Sequence, residues 1–154
     1  MCGAYPDLKK CTCSTHDIHR YMGKISKPLL DRIDICMNVK RLPYKELSCS
    51  TQNESSSQIR ERILCARDIQ AKRYQGTEFR FNADLGAKEL RTYCPLGQDE
   101  EQLLECIYEK MDLSVRTLHR IIKVSRTIAD LEGRAKITER HISEAVFYKC
   151  MDLE

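Results

Sequence analysis

From residue 56 onward the chain is a succession of amphipathic segments, most of them opened by a helix-capping residue and closed by a helix breaker. That pattern limits the larger part of the molecule to a helical array. Ser114 precedes Leu118, Ile121, Ile122, Ser125, Ile128 and Ala129, whose 3-4 spacing makes one inward stripe, and Gly133 closes the segment. Thr138 opens the last segment, with Ile142, Ala145, Val146 and Met151 as its apolar positions. Residues 98–111 place Leu103, Leu104, Ile107 and Met111 on one face. Asn82 is expected to open a helix over about 84–94, ended by Pro95. Ser56 or Ser57 is expected to cap a longer one reaching about residue 74, with Ile59, Ile63, Ala66 and Ile69 or Gln70 inward, stopped by Gly76. Residues 78–81 are too short to assign.

The front of the chain reads differently. Ser14 or Thr15 caps a short helix to about residue 24, with Ile18, Tyr21 and Met22 inward and His16, Asp17, His19 and Arg20 outward. Pro28 suits the first turn of a second helix. Residues 34–39 read as a strand, and Pro43 ends that unit. Residues 48–57 hold five serines with Thr51, Gln52, Asn53 and Glu54, so the domain boundary is expected there. The expected organisation is a first unit over 1–47, a linker over 48–55 and a helical domain over 56–150.

Composition narrows the class. An apolar content of 42% supports a buried core, and 32% charged residues with no tryptophan suit a water-facing helical protein. No apolar run approaches the roughly 20 residues that span a bilayer, and no signal-peptide core is present, so no membrane role is expected. The nine cysteines are an odd number without framework spacing, which points to reduced thiols and a cytoplasmic location. Net charge is only +3, but residues 1–45 carry nine Lys/Arg against four Asp/Glu, while residues 84–112 carry three against eight. That asymmetry suits head-to-tail contact between subunits or an anionic ligand near the front. Lys9, Lys10, Arg20, Lys24 and Lys27, with Tyr5 and Tyr21, offer charge for nucleic-acid phosphates but no stacking motif.

Two segments carry a resemblance. Leu29-Leu30-Asp31-Arg32-Ile33-Asp34 resembles the L-L-x-R-[FI]-D segment of AAA+ ATPases in the helix-2-insert branch, which includes magnesium chelatases and MCM helicases. The wider stretch from Cys2-Gly3 through Cys11-Thr12-Cys13 to Arg32, and the later run from Ser114-Val115-Arg116-Thr117-Leu118 to Arg126-Thr127-Ile128-Ala129-Asp130-Leu131, are similar to the ComM/YifB group of magnesium-chelatase-like proteins. Lys27 departs from the glycine usual in that group. The resemblance implies a mainly α fold, the helical lid bundle of an AAA+ ATPase preceded by a remnant of the α/β ATPase core. It implies a homo-oligomeric ring, commonly a hexamer, that uses ATP and Mg²⁺ and acts on DNA, in this group by branch migration during recombination of incoming DNA. Arg32 then corresponds to the arginine finger reaching the γ-phosphate bound by the next subunit, and Arg116 to the sensor-2 arginine that contacts the nucleotide of its own subunit. The alternatives are a magnesium chelatase motor subunit and a stand-alone helical DNA-binding or adaptor module.

The chemistry of these residues agrees with those roles. A guanidinium is planar, permanently charged and matched to phosphate oxygens. Phosphoryl transfer spreads charge over the γ-phosphate, which a supplied arginine stabilises. The competing reading of Arg32 is a local ion pair with Asp31 or Asp34. Arg116 falls in a first helical turn, beside backbone N–H groups that favour anions. Arg120, Lys123 and Arg126 read as a solvated face, with Asp130 near it. No phosphate-binding glycine loop is present, so the chain is expected to begin within an ATPase domain, and alone neither to bind ATP tightly nor to hydrolyse it. Cys2, Cys11 and Cys13 form C-x8-C-x-C, one thiolate short of a four-ligand zinc site, whose fourth cysteine the resembling proteins carry just upstream. His16 and His19 are the nearest other ligand types. The expectation is reduced thiols without zinc.

Overall fold

Seven α-helices and one 3₁₀ turn make up the regular structure of a computed structural model that describes residues 2–3, 5, 10–37, 39, 44 and 54–149. In chain order they are α1 (Thr15–Met22), α2 (Lys27–Leu30), α3 (Ser56–Arg73), the 3₁₀ turn (Asn82–Asp84), α4 (Ala87–Tyr93), α5 (Gln98–Lys110), α6 (Val115–Leu131) and α7 (Glu139–Lys149). No strand occurs among the described residues, and no described helix is long and apolar enough to cross a membrane. The chain divides into two compact units between Ile33 and Asp34. Most of the predicted 48–55 linker, with Pro43, Cys49, Cys150 and Met151, lies outside the described residues.

Local sequence explains the helix starts. The Ser14 hydroxyl accepts the N–H of Asp17 at 3.2 Å, and the Ser114 hydroxyl that of Thr117 at 3.1 Å. At α3 the cap is Ser55, one residue before the predicted serines: its hydroxyl accepts from Gln58 N–H while the Gln58 side chain accepts from Ser55 N–H, a reciprocal capping box. Pro28 lies in the first turn of α2, where a missing N–H is harmless. After α5 the chain reverses at Asp112, whose φ of 46° is a left-handed conformation that a short polar side chain tolerates.

The larger unit is organised around α6, which packs chiefly on α7 and α3. Ile121, Ile128, Ile142 and Ala145 from α6 and α7 meet Tyr74, Leu85, Leu90, Cys94, Leu104 and Ile137 in one core. Full burial of each large side chain there contributes roughly 1.5–3 kcal/mol. Cys94 packs as a small apolar group, and burial pushes its thiol up to about 11.

Several expectations are corrected. The 34–39 strand does not form among the described residues: a lone extended segment has no ladder to join, and the Cys36 N–H instead donates to the Tyr148 carbonyl at 2.6 Å. The helix over 84–94 is two elements, parted by extended backbone at Leu85 and Gly86. Ile59 and Ile63 are exposed, because burial along α3 begins only at Ala66, and Met111 is exposed where the chain turns. The largest correction is that Arg126 and Asp130, read as a solvated face, are each only 1% exposed. Arg73 of α3 chelates the Asp130 carboxylate, its Nη1 donating to Oδ2 at 2.8 Å, and Arg126 Nε donates to Oδ1 at 3.1 Å. Arg126 also donates to the carbonyls of Arg134 and Ala135, and Asn82 donates to Asp130 and Thr127. Among the described residues no buried side-chain polar atom lacks a partner, so the layer meets the condition under which buried charge is tolerated.

The 3₁₀ turn that presents Asn82 to this layer is itself held by Asp84, whose carboxylate accepts the N–H groups of Arg80 and Phe81 at 2.9 Å each. Those two bonds hold Asp84 below the usual carboxylate range. A depressed folded-state pKa means the contribution is present above the unfolded value of about 3.9 and is lost as pH falls through the folded one. Asp84→Asn is therefore expected to lower stability at pH 7 and to shrink the acid-side loss below about pH 4. Urea unfolding at pH 7 and pH 3 checks this; an unaltered acid-side slope would contradict it.

Candidate functional site

Arg116 is the second residue of α6, exposed, and has no hydrogen-bond or ion-pair partner among the described residues. The helix places His119, Arg120 and Lys123 at i+3, i+4 and i+7, so all four side chains fall on one side. Together they line a depression of about 380 Å³ whose opposite wall is Leu85, Gly86 and Leu90. Two of the four are tied to the protein: Lys123 Nζ donates to the Ala83 carbonyl at 2.9 Å, and Arg120 pairs with the Asp34 carboxylate. Those ties fix the cationic wall and leave Arg116 as the exposed guanidinium at its edge. An anion entering here meets the exposed Arg116 guanidinium beside the tied Arg120 and Lys123.

The sequence singles out Arg116, but its solvated-face reading of Arg120 and Lys123 is corrected, since both are partly buried and tied to the protein, and it makes no use of His119. His119 was visible in principle, because i+3 puts it beside Arg116. The engagement of Asp34 with Arg120 was not, because 86 residues separate the pair.

Arg32 follows α2, in the smaller unit, and is exposed. Its Nη1 donates to the Pro28 carbonyl at 2.7 Å. Asp34, one of its two predicted acidic partners, is the residue that pairs with Arg120. The same unit gathers Cys2, Cys11 and Cys13, whose sulfurs all lie within 4.8 Å of one another. Of the basic front, Lys10, Arg20 and Lys24 are exposed; Arg20 pairs with Asp17 at 2.8 Å and Lys24 stands over the Tyr21 ring, while Lys9 lies outside the described residues.

The donor set fits the phosphate end of a nucleotide. It does not fit Mg²⁺: apart from the three thiols, no group of three His, Cys, Asp or Glu side chains converges among the described residues.

The described part of the larger unit is an all-helical bundle, the fold class of the helical lid of an AAA+ ATPase. Comparison with known proteins specifies the family. The family "Magnesium chelatase, subunit ChlI C-terminal" matches residues 53–149, and "Magnesium chelatase, subunit ChlI" matches residues 1–47. The chain belongs to the magnesium chelatase ChlI family, in its ComM/YifB-like branch. It is 41% identical over 139 residues to competence protein ComM of Haemophilus influenzae, covering 90% of this chain and 26% of that protein. It is 35% identical over 141 residues to YifB of Escherichia coli K12, covering 91% and 27%, and 32% identical over 143 residues to Mb2921c of Mycobacterium bovis, covering 93% and 28%. The chain thus spans about a quarter of the length of the curated relatives it matches.

Proposed function

We propose that this chain is the arginine-bearing C-terminal part of a ring-forming ATPase subunit. Residues 1–47 are the end of the ATPase core, 48–55 the linker and 56–150 the lid. Arg32 reaches the γ-phosphate held by the neighbouring subunit, and Arg116 reads the nucleotide of its own. The observation that carries the reading is the placement of Arg116: first turn of α6, exposed, without a protein partner among the described residues, at the edge of a cationic depression. The Asp34–Arg120 pair supports it further. It holds the residue one helical turn after Arg116 in place, which fixes the wall beside that guanidinium.

ATP and Mg²⁺ belong to the complete subunit, which supplies the phosphate cradle and the metal's carboxylate. When bound, they provide the phosphoryl group and neutralise part of its charge. The residues of this chain orient and stabilise that charge. The ring, a hexamer by family resemblance, acts on DNA in branch migration, the reading favoured by the likeness to a competence protein. The family's name gives the second reading, a magnesium chelatase motor. Stimulation of the complete ATPase by branched DNA, and not by a porphyrin with its partner subunit, separates them.

Arg116→Ala in the complete subunit is expected to weaken nucleotide affinity by about tenfold or more, since a charge-assisted hydrogen bond is worth roughly 1.5–3 kcal/mol. Arg116→Lys should restore part of it. Calorimetric titration with a non-hydrolysable ATP analogue checks this. Unchanged affinity in Arg116→Ala would remove the sensor role.

A further inference from the structure

The smaller unit raises a question its helices do not answer: what holds it together. Among its described residues, up to Ile33, none is buried, and α1 has no buried residue at all. A segment whose described residues bury no apolar side chain can be stapled by a structural metal.

Three side chains here have the chemistry for such a staple. The sulfurs of Cys2, Cys11 and Cys13 all lie within 4.8 Å of one another, and the Cys2 and Cys11 sulfurs are 3.7 Å apart. Thiolates bound tetrahedrally to zinc at about 2.3 Å stand about 3.8 Å from each other, so the pair already has the required separation and the third sulfur needs only a small inward movement. The Cys2 N–H donates to Cys13 Sγ at 3.2 Å, which ties the two ends of this segment together. None of the three is in a disulfide.

We propose that Cys2, Cys11 and Cys13 bind one thiophilic divalent ion, zinc in the first instance, as a structural staple. The ion closes the loop from residue 2 to residue 13 and fixes the entry to α1, since Cys13 directly precedes the Ser14 cap. Three protein thiolates leave a fourth corner for water or a further ligand.

The test uses the intact chain, reduced and stripped of metal. Titration with zinc against a chromophoric chelator is expected to give one ion per chain, and cobalt substitution the sulfur-to-metal charge-transfer absorption of thiolate ligation. Cys11→Ser and Cys13→Ser should each lose stoichiometric binding, while Cys65→Ser, at an exposed cysteine of α3, should keep it. Zinc should slow amide exchange in residues 15–22 of the wild type and not of Cys11→Ser, a readout separate from the stability of the larger helical unit. Far-UV circular dichroism of each variant confirms that α3 to α7 are retained. Substoichiometric binding by the wild type, equal binding by Cys11→Ser, or a cobalt spectrum without sulfur charge transfer would each overturn the proposal.

Discussion

Arg32→Ala in a complete ATPase subunit is expected to leave ATP binding near normal and to lower hydrolysis by the assembled ring by about 10³-fold or more. The asymmetry follows from where the guanidinium acts. A finger meets charge that develops on the transferring phosphoryl group, so its removal raises the barrier without greatly changing ground-state affinity. Arg32→Lys is expected to remain strongly impaired, because an ammonium is a point charge and cannot reproduce the planar fork. Steady-state turnover alongside equilibrium nucleotide binding checks the split. Hydrolysis within twofold of wild type would return Arg32 to a local role, in which its bond to the Pro28 carbonyl merely ends α2.

The second large effect concerns stability. Asp130→Asn is expected to destabilise the helical unit by about 3–5 kcal/mol, because two guanidiniums, of Arg73 and Arg126, would face a neutral amide in a buried site. The pair with Asp130 holds the Arg73 charge firmly, whereas loss of solvent pulls the pKa of Arg126 down. Burial of Arg126 thus depends on the carboxylate beside it. Replacing all three groups with apolar side chains of similar volume should be milder than the single change, since no uncompensated charge remains. Urea unfolding of both variants checks the order; a loss under about 1 kcal/mol in Asp130→Asn would place the network with ordinary surface pairs.

The same residues mark how far the fold was legible. Ser14, Ser114 and Gly133 announce helix ends through local bonds, and the stripe of Leu118, Ile121, Ser125 and Ile128 announces the inward face through period alone. Arg126 and Asp130 defeated the same logic. Their burial depends on Arg73, 57 residues from Asp130, and no local pattern encodes that partner. Residues 34–39 carry β-favouring side chains, but a strand exists only beside another strand, and none is present among the described residues. At the candidate site, Arg116 was legible from helix register and family resemblance. The floor of Leu85, Gly86 and Leu90 that shapes its depression comes from elements that only tertiary packing brings near.

The central claim is that one chain serves two ATP sites, its own through Arg116 and its neighbour's through Arg32. The most direct test mixes complete subunits bearing Arg32→Ala with complete subunits inactivated in their phosphate-binding loop, each class inactive alone. Every mixed interface of one orientation joins an intact nucleotide site to an intact Arg32. ATP turnover is therefore expected to reappear on mixing and to peak near equal proportions. Absence of turnover in rings shown by native mass spectrometry to contain both classes would contradict action across the interface.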